Sequence, residues 1–270
     1  MKITSFRNPK IKHIRQLQHK KYRQDTGQFF IEGLRVVGEA IQTGAQIEAI
    51  ITAPDLLISD FGKELLDHPG INNVETIEVT PEIFTSLAQK EGPQGIGAVI
   101  NQNWEPLQDL KVQMDDFFVI LDQIADPGNL GTIMRTAEAV GARGVILLGH
   151  STDPFDPTSV KASMGAIFSL SLVKAQWQDV VAWCRDHRVI LIGTSDRAEK
   201  EYRSVEYHRP LGLLMGSERH GLPQSLLDAC DHTVRIPMEG RSDSLNLAVA
   251  TGVMLYEIYH QTRKADTIQP

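Results

Sequence analysis

The C-terminal half of the chain is organised around FFVILDQIADPGNLGTIMRTAEAVGARGVILLG, residues 117–149. FFVILD at its start and GVILLG at its end are continuous apolar runs, which are typical of strands covered on both faces of a sheet. A Pro-Gly turn and a helical pattern over residues 130–140 lie between them. Strand, helix and strand in this order predict a β-α-β unit, and therefore a parallel sheet.

The same alternation continues towards the C-terminus. Further strands are predicted at residues 169–173, 189–194, 211–216 and 233–237, and helices at residues 157–168, 177–186, 223–229 and from about Ser244 to His260. The C-terminal half is therefore predicted to be an α/β domain with a parallel sheet of about six strands.

The N-terminal half alternates strands and helices in shorter segments. Strands are predicted at residues 29–33, 47–52, 74–80 and 95–100, after a basic helical region at residues 5–24. They predict a small α/β domain of about 100 residues. Residues 101–116 are polar and lack a long periodic pattern, so we predict a first domain at 1–105, a linker at 106–116 and a second domain at 117–265.

The charge of the chain is unevenly distributed. The formal net charge of −7 argues against nucleic-acid binding, yet the first 24 residues hold eight basic side chains and no acidic one. A basic arm on an acidic body can bind phosphates locally. The candidates for phosphate binding are Lys10, Lys12, Lys20, Lys21 and Arg23. The alternative is a solvated helix that is basic without binding anything.

Several classes of protein are disfavoured by the sequence. The two cysteines, Cys184 and Cys230, are isolated, so we predict no disulfide, no metal site and two core residues. The start, MKITSFRNPK, lacks an apolar signal core, and no apolar run approaches the length of a membrane span. We therefore expect a cytoplasmic protein that does not enter a membrane.

Three polar clusters follow predicted strands, where ligands bind in open α/β sheets. In the first, residues 122–141, Asn129 is placed to cap a helix that carries Arg135, although turn chemistry and a surface arginine would explain both. In the second, residues 213–223, Gly216 and Gly221 flank Glu218. Glycines allow a ligand to approach the backbone closely, although a glycine-stabilised turn into the next helix would also explain them.

The third cluster, residues 236–258, leads from a strand into a helix that we predict to begin at Ser244. A capped core helix explains Ser244, but not an amide at Asn246 between two leucines, which we expect on the buried side and in need of a partner. None of the clusters has the spacing of a dinucleotide fingerprint or a Walker loop, which disfavours a nucleotide-dependent oxidoreductase or a triphosphatase.

Together the three clusters resemble the SpoU (TrmH) family of RNA ribose 2′-O-methyltransferases, in the SPOUT class. Asn129 with Arg135, GSERHG at 216–221, and IPM at 236–238 with SLNLAVA at 244–250 match the family's three elements in order and spacing. Ser217 replaces a commoner asparagine, and Arg219-His220 a commoner glycine-containing stretch. ITSFRNPKIKHIRQL at 3–17 and FFIEGLRVVGEAI at 29–41 resemble the family's N-terminal substrate-binding domain, which is similar to a small ribosomal protein.

The resemblance implies a trefoil knot in the C-terminal domain and a homodimer with active sites at its interface. It implies S-adenosylmethionine as cofactor, no metal, and RNA as substrate. The accessory domain favours large-subunit ribosomal RNA over transfer RNA. A catalytically silent RNA-binding assembly factor is the alternative from another class, although the chain retains the residues that match the family's site.

The resemblance also implies residue roles. Arg135 would activate the ribose hydroxyl; we favour electrostatic stabilisation over base catalysis, because a guanidinium normally stays protonated. Asn129 and Glu218 would position Arg135 and the ribose, Ser244 would contact the RNA phosphate or the hydroxyl, and Asn246 matches a further site position. The implied cofactor contacts are Gly216, Ile236 and Leu245, with Thr194 and Gly193 nearby.

Overall fold

The computed structural model describes residues 2–88, 92–241 and 243–263. The chain forms two compact units. The first contains Met1–Asn103 together with Asp153–Ser169, and the second contains Trp104–Thr152 together with Leu170–Pro270. Each unit has its own sheet and its own core.

The first unit is a four-stranded sheet with helices. Its elements are α1 (Pro9–Gln16), α2 (Lys20–Thr26), β1 (Gln28–Glu32), α3 (Leu34–Gln42), β2 (Ile47–Thr52), α4 (Asp60–Leu66), β3 (Glu75–Glu78), α5 (Pro81–Leu87), β4 (Ile96–Asn101) and α7 (Pro157–Ser163). The strand order is β1-β4-β2-β3, in which β4 runs antiparallel to both neighbours and β2 is parallel to β3. Ile11, Ile14 and Leu17 are buried in the core of this unit.

The predicted basic helical region is two helices. Asn8 accepts a hydrogen bond from the Lys10 amide at 2.9 Å and so caps α1, while Gly27 ends α2 with a left-handed φ of 65°. The turn between the helices brings the main-chain oxygens of Leu17 and Gln18 to the guanidinium of Arg23.

Arg23 is buried, which corrects its prediction as a phosphate-binding residue. Its side chain is 1% exposed and lies 2.8 Å from Asp153 and 3.2 Å from Asp156. With Leu17 and Gln18 accepting from Nη1, the guanidinium is fully occupied inside the unit. Arg23 therefore holds residues 153–169 to the helices near the N-terminus rather than facing RNA.

The second unit is a seven-stranded parallel sheet with helices. Its elements are β5 (Phe117–Asp122), α6 (Pro127–Ala139), β6 (Gly144–Leu148), β7 (Ser171–Ala175), α8 (Trp177–His187), β8 (Ile190–Thr194), β9 (Lys200–Glu201), β10 (Leu211–Met215), α9 (Gln224–Leu227), β11 (His232–Arg235) and α10 (Leu247–Thr262). The order is β7-β6-β5-β10-β8-β11-β9. Every residue of β5, β6 and β10 is buried, as their apolar sequences predict.

The division into units differs from the predicted domains in two places. The predicted linker, residues 106–116, contributes Leu107 and Leu110 to the core of the second unit. Residues 153–169 lie within the predicted second domain but pack in the first unit. The sequence could not predict either difference, because two isolated leucines and the two ion pairs of Arg23 with Asp153 and Asp156 leave no periodic pattern.

The predicted α/β fold with a parallel sheet is confirmed. The sheet gains a seventh strand, β9, which is too short for any pattern to predict. The predicted helix at 157–168 stops at Ser163, because Met164 and Gly165 adopt left-handed φ values of 53° and 101°. The trefoil knot remains a prediction. No helix among the described residues is long and apolar enough to span a membrane.

Candidate active site at the carboxyl edge of the parallel sheet

The polar clusters come together at one edge of the second unit. Strands β5, β10, β8 and β11 are consecutive in the sheet and parallel. The segments that follow them therefore leave from the same edge. This edge of an open parallel sheet is where α/β proteins bind ligands.

A chain of hydrogen bonds joins all three clusters. The Asn246 amide nitrogen donates to the Asn129 side-chain oxygen at 3.0 Å. The Asn129 amide nitrogen donates in turn to the Glu218 carboxylate at 3.2 Å. The other oxygen of Glu218 accepts from the main-chain nitrogen of Ala125 at 3.4 Å. One side chain from each sequence cluster thus enters a single network, with the Glu218 carboxylate as its final acceptor.

Helix capping sets the direction of this network. The Oδ1 atom of Asn246 accepts from the amides of Ala248 and Val249 at 2.9 and 3.2 Å, which leaves its Nδ2 group to donate to Asn129. Asn246 is therefore the N-cap of α10 and is exposed. The predictions that the helix begins at Ser244 and that Asn246 is buried are wrong. An N-cap residue lies outside the helix with a non-helical backbone, so α10 begins only after Asn246.

The cap of α6 also differs from its prediction. Asp126, not Asn129, is the N-cap, and its carboxylate accepts from the Asn129 main-chain amide at 2.6 Å. Asn129 lies in the first turn of the helix, where its side chain is free to connect Glu218 and Asn246. The cap prediction failed because both residues are good caps and Pro127 is favoured at the first helical position.

Glu218 is held on a tight loop between β10 and α9. A Cβ atom at Gly216 would lie 2.2 Å from the carbonyl carbon of Gly221, so only glycine fits there. The Ser217 hydroxyl accepts from the His220 amide at 3.3 Å, and Gly221 turns the chain with a φ of 63°. Serine in place of the commoner asparagine therefore keeps a side-chain oxygen that closes the loop.

Arg135 and Ser244 stand apart from the network. Both are exposed, and neither makes a side-chain hydrogen bond or ion pair with the described residues. Arg135 lies six residues after Asn129 on α6, a rotation of about 240° and a rise of about 9 Å along the helix. A single chain therefore does not bring Arg135 to Asn129 and Glu218, which were expected to position it.

Comparison with known proteins agrees with the sequence motifs. Residues 116–256 match the model of the SpoU rRNA methylase family, and residues 8–98 match an MRM3-like substrate-binding domain. The chain belongs to the SpoU rRNA methylase family. The resemblance predicted from the three clusters is confirmed.

SpoU relatives cover nearly the whole chain. A 23S rRNA (uridine(2479)-2′-O)-methyltransferase of Streptomyces viridochromogenes is 32% identical, over 91% of this chain and 87% of the relative. A 23S rRNA (guanosine(2553)-2′-O)-methyltransferase of Bacillus subtilis, RlmP, is 28% identical, over 95% and 98%. The crystal structure of an AdoMet-bound rRNA methyltransferase from Sinorhizobium meliloti superposes with a TM-score of 0.88 at 37% identity, covering 96% of this chain and 97% of that one.

Four of the residues that the SpoU resemblance assigns to the cofactor lie at the end of a strand or in the segment before α10. Thr194, Gly216 and Ile236 end or directly follow the adjacent strands β8, β10 and β11, and Leu245 is 37% exposed in the segment before α10. Gly193 is buried inside β8, and a Cβ there would lie 2.8 Å from the Cys230 sulfur. Glycine at 193 therefore makes room for the Cys230 side chain, and its part in cofactor binding stays a prediction.

The backbone at the end of β5 has a conformation that the sequence did not predict. Gln123 has a left-handed φ of 51°, which is strained for a residue with a side chain and is often found beside functional sites. The preceding Asp122 is buried, and this desolvation raises the pKa of its carboxyl group. No local sequence signal marks a left-handed glutamine, so it could be found only from the structure.

Proposed function

We propose that this SpoU chain transfers a methyl group from S-adenosylmethionine to a ribose 2′-hydroxyl of large-subunit ribosomal RNA. The observation that carries the proposal is the network of Asn246, Asn129 and Glu218, which unites the three family elements at the ligand-binding edge. The named relatives act on 23S rRNA, which favours ribosomal over transfer RNA. We place the action of this protein in the cytoplasm, where that RNA is found.

The edge fits the proposed cofactor. Glycine at 216 lets the loop of residues 216–221 fold tightly against its own backbone, and Ile236, Leu245 and Met238 offer partly exposed apolar surface beside main-chain groups. These features suit a flat heterocycle read by main-chain hydrogen bonds. When bound, S-adenosylmethionine supplies a methyl group on a neutral leaving group, so Gly216, Ile236, Leu245 and Thr194 need only hold it in place.

The chain's own residues act on the RNA hydroxyl. The Ala125 amide and the Asn129 side chain already donate to the Glu218 carboxylate and hold it in one orientation. Little conformational entropy is therefore lost in orienting the carboxylate when RNA binds. Ser244 presents an exposed hydroxyl two residues before the network and contacts the RNA phosphate. Arg135 stabilises the negative charge that develops on the ribose oxygen, because its guanidinium stays positively charged and donates hydrogen bonds.

The active form is a homodimer. Val249 and Tyr256 on α10 are 53% and 56% exposed, and Val253 between them completes an apolar face with i, i+4, i+7 spacing. Helix α6 packs on α10, where the Thr136 methyl faces Gly252. Arg135 is exposed on α6, the helix that packs beside this face, so pairing through the face would bring Arg135 to the partner. Each site then takes its arginine from the other chain.

Cofactor binding gives a first prediction. S-adenosylhomocysteine is expected to raise the melting temperature, because a ligand that binds only the folded state stabilises it, whereas NAD should leave it unchanged. Gly216→Ala should lose this rise, since the added Cβ forces the loop off Gly221. Gly240→Ala is the matched control, because a Cβ there meets nothing within 4 Å. A full rise in Gly216→Ala, or an equal rise with NAD, would contradict the assigned cofactor site.

The N-terminal arm gives a second prediction. Lys12, Lys20 and Lys21 are exposed and make no ion pair among the described residues, whereas Lys10 pairs with Glu75. Changing Lys12, Lys20 and Lys21 to Gln should weaken RNA binding and flatten the slope of log affinity against log salt by about two to three units. The slope is measured by filter binding from low to moderate salt.

A control keeps the net charge equal. Lys111, Arg143 and Arg185 are exposed, lie outside the arm and make no ion pair among the described residues, and changing all three to Gln should leave the salt slope almost as in the wild type. An equal change of slope in both triple variants would mean that the arm has no particular role. An unaltered slope in the arm variant would mean that these lysines do not contact phosphate.

A further inference from the structure

The first unit carries a cavity that the proposed chemistry does not use. Its volume is about 430 Å³, within the range of pockets that hold small organic ligands. It lies between α3 and α4 and reaches the segment before β4. The lining residues that bear on its use are Arg35, Gly38, Glu39, Gln42, Phe61 and Gln94.

The floor of the cavity is a glycine in the middle of a helix. Gly38 is the fifth residue of nine in α3, a position where glycine weakens a helix relative to alanine. A Cβ at Gly38 would lie 3.5 Å from side-chain atoms of Phe61 and Leu65, an ordinary van der Waals distance. The packing between α3 and α4 therefore tolerates alanine, and the added methyl group would lie against the Phe61 ring that lines the cavity.

The rim combines an aromatic face with polar groups. Phe61 is 46% exposed, which is unusual for so large an apolar side chain. The Gln94 side-chain oxygen accepts from the Leu34 amide at 3.1 Å, which fixes this side chain at the start of α3. Arg35 is exposed and, among the described residues, forms no ion pair, not even with Glu39 one turn later.

We propose that this cavity binds a single unpaired nucleotide of the RNA substrate; the inference rests on the proposed function. The base stacks on Phe61, because any base offers a face to an aromatic ring. The side chains of Gln42 and Gln94 hydrogen-bond to base edges, which are accessible only where RNA is unpaired. Arg35 binds the adjoining phosphate. The site lies in the first unit, which contains the substrate-binding domain match, whereas the methyl-transfer edge belongs to the second unit.

The test compares two cavity variants with a neighbouring control. Phe61→Ala removes the stacking face, and Gly38→Ala fills the floor with a methyl that favours the helix. Ile58→Ala removes an apolar side chain that is 84% exposed and does not line the cavity. The measurements are the Kd for an unmethylated 23S rRNA transcript, the KM and kcat of methyl transfer to it, and the Kd for S-adenosylhomocysteine.

We expect Phe61→Ala to raise the Kd and KM for the transcript by about 5-fold to 100-fold, the range of one lost stacking contact. Gly38→Ala should raise both without lowering the melting temperature, which separates the effect from misfolding. Ile58→Ala should bind RNA as the wild type does, and all three should bind S-adenosylhomocysteine equally.

Two results would overturn the inference. One is an unchanged RNA Kd in both cavity variants while the wild type methylates the transcript. The other is an equal loss of affinity in Ile58→Ala. A wild type that binds S-adenosylhomocysteine but methylates no RNA would instead count against the proposed function, so the two failures are distinguishable.

Discussion

An equimolar mixture of Arg135→Ala and Glu218→Ala chains should recover about a quarter of the wild-type methyl-transfer rate, although each variant alone is inactive. Each substitution removes a charged group from the site and should lower kcat by at least about 100-fold. In the proposed homodimer, half of the dimers are mixed after subunit exchange. If Arg135 serves the partner's site, each mixed dimer has one complete site and one that lacks both residues.

The reason is the geometry of α6. Asn129 and Glu218 are hydrogen-bonded within one chain, whereas Arg135 points to another side of the same helix and is exposed. The measurement is labelled methyl transfer after the two purified variants have been mixed and allowed to exchange. The control is a mixture of Asn129→Ala and Glu218→Ala, which remains inactive because both residues belong to one site in one chain.

Either of two outcomes would contradict this account. If Arg135→Ala keeps its turnover, the arginine has no role in the reaction. If it is inactive but the mixture with Glu218→Ala recovers nothing after exchange, Arg135 acts within its own chain, and α6 must rearrange when RNA binds.

Arg23→Ala should lower the free energy of unfolding by about 3–5 kcal/mol, the cost of breaking a buried ion pair from one side. Arg23 is 1% exposed, and its removal leaves Asp153, at 8% exposure, without its partner. The carbonyl oxygens of Leu17 and Gln18 also lose their donor. Unfolding in urea, followed by circular dichroism, measures the loss.

Arg7→Ala is the matched control for this experiment. Arg7 is an exposed arginine in the same segment, and its side chain makes no hydrogen bond or ion pair with the described residues. Its removal should change stability by less than about 0.5 kcal/mol. Equal stability of the Arg7 and Arg23 variants would mean that the Asp153 and Asp156 contacts do not hold residues 153–169 in the first unit.

Arg23 also shows where charge patterning misleads. Eight basic residues without an acidic one in the first 24 suggest a phosphate-binding arm, and Lys12, Lys20 and Lys21 are exposed, as phosphate binding requires. Arg23 differs because its partners, Asp153 and Asp156, lie about 130 residues away in the sequence. A local sequence pattern cannot contain that information. The strands at 117–122 and 211–215 differ, because their apolar composition is enough to predict that they are buried.

The sequence predicted which residues form the candidate site but not the hydrogen bonds that connect them. Asn129, Glu218 and Asn246 follow strands or begin helices, and parallel strands bring such positions to one edge. The hydrogen bonds between them depend on which side chain caps each helix. Asp126 and Asn246 take those roles, and sequence alone leaves Asp126 and Asn129 equally good candidates.

The central claim is methyl transfer to a ribose of ribosomal RNA. Its most direct test is to incubate the wild type with labelled S-adenosylmethionine and unmodified 23S rRNA or transfer RNA, then map 2′-O-methylation along each labelled RNA. We predict label at a single ribose of 23S rRNA and none in transfer RNA. Label in transfer RNA alone would keep the chemistry and contradict the substrate. No label in either RNA, with no binding of S-adenosylhomocysteine, would contradict the enzyme itself and favour an RNA-binding assembly factor.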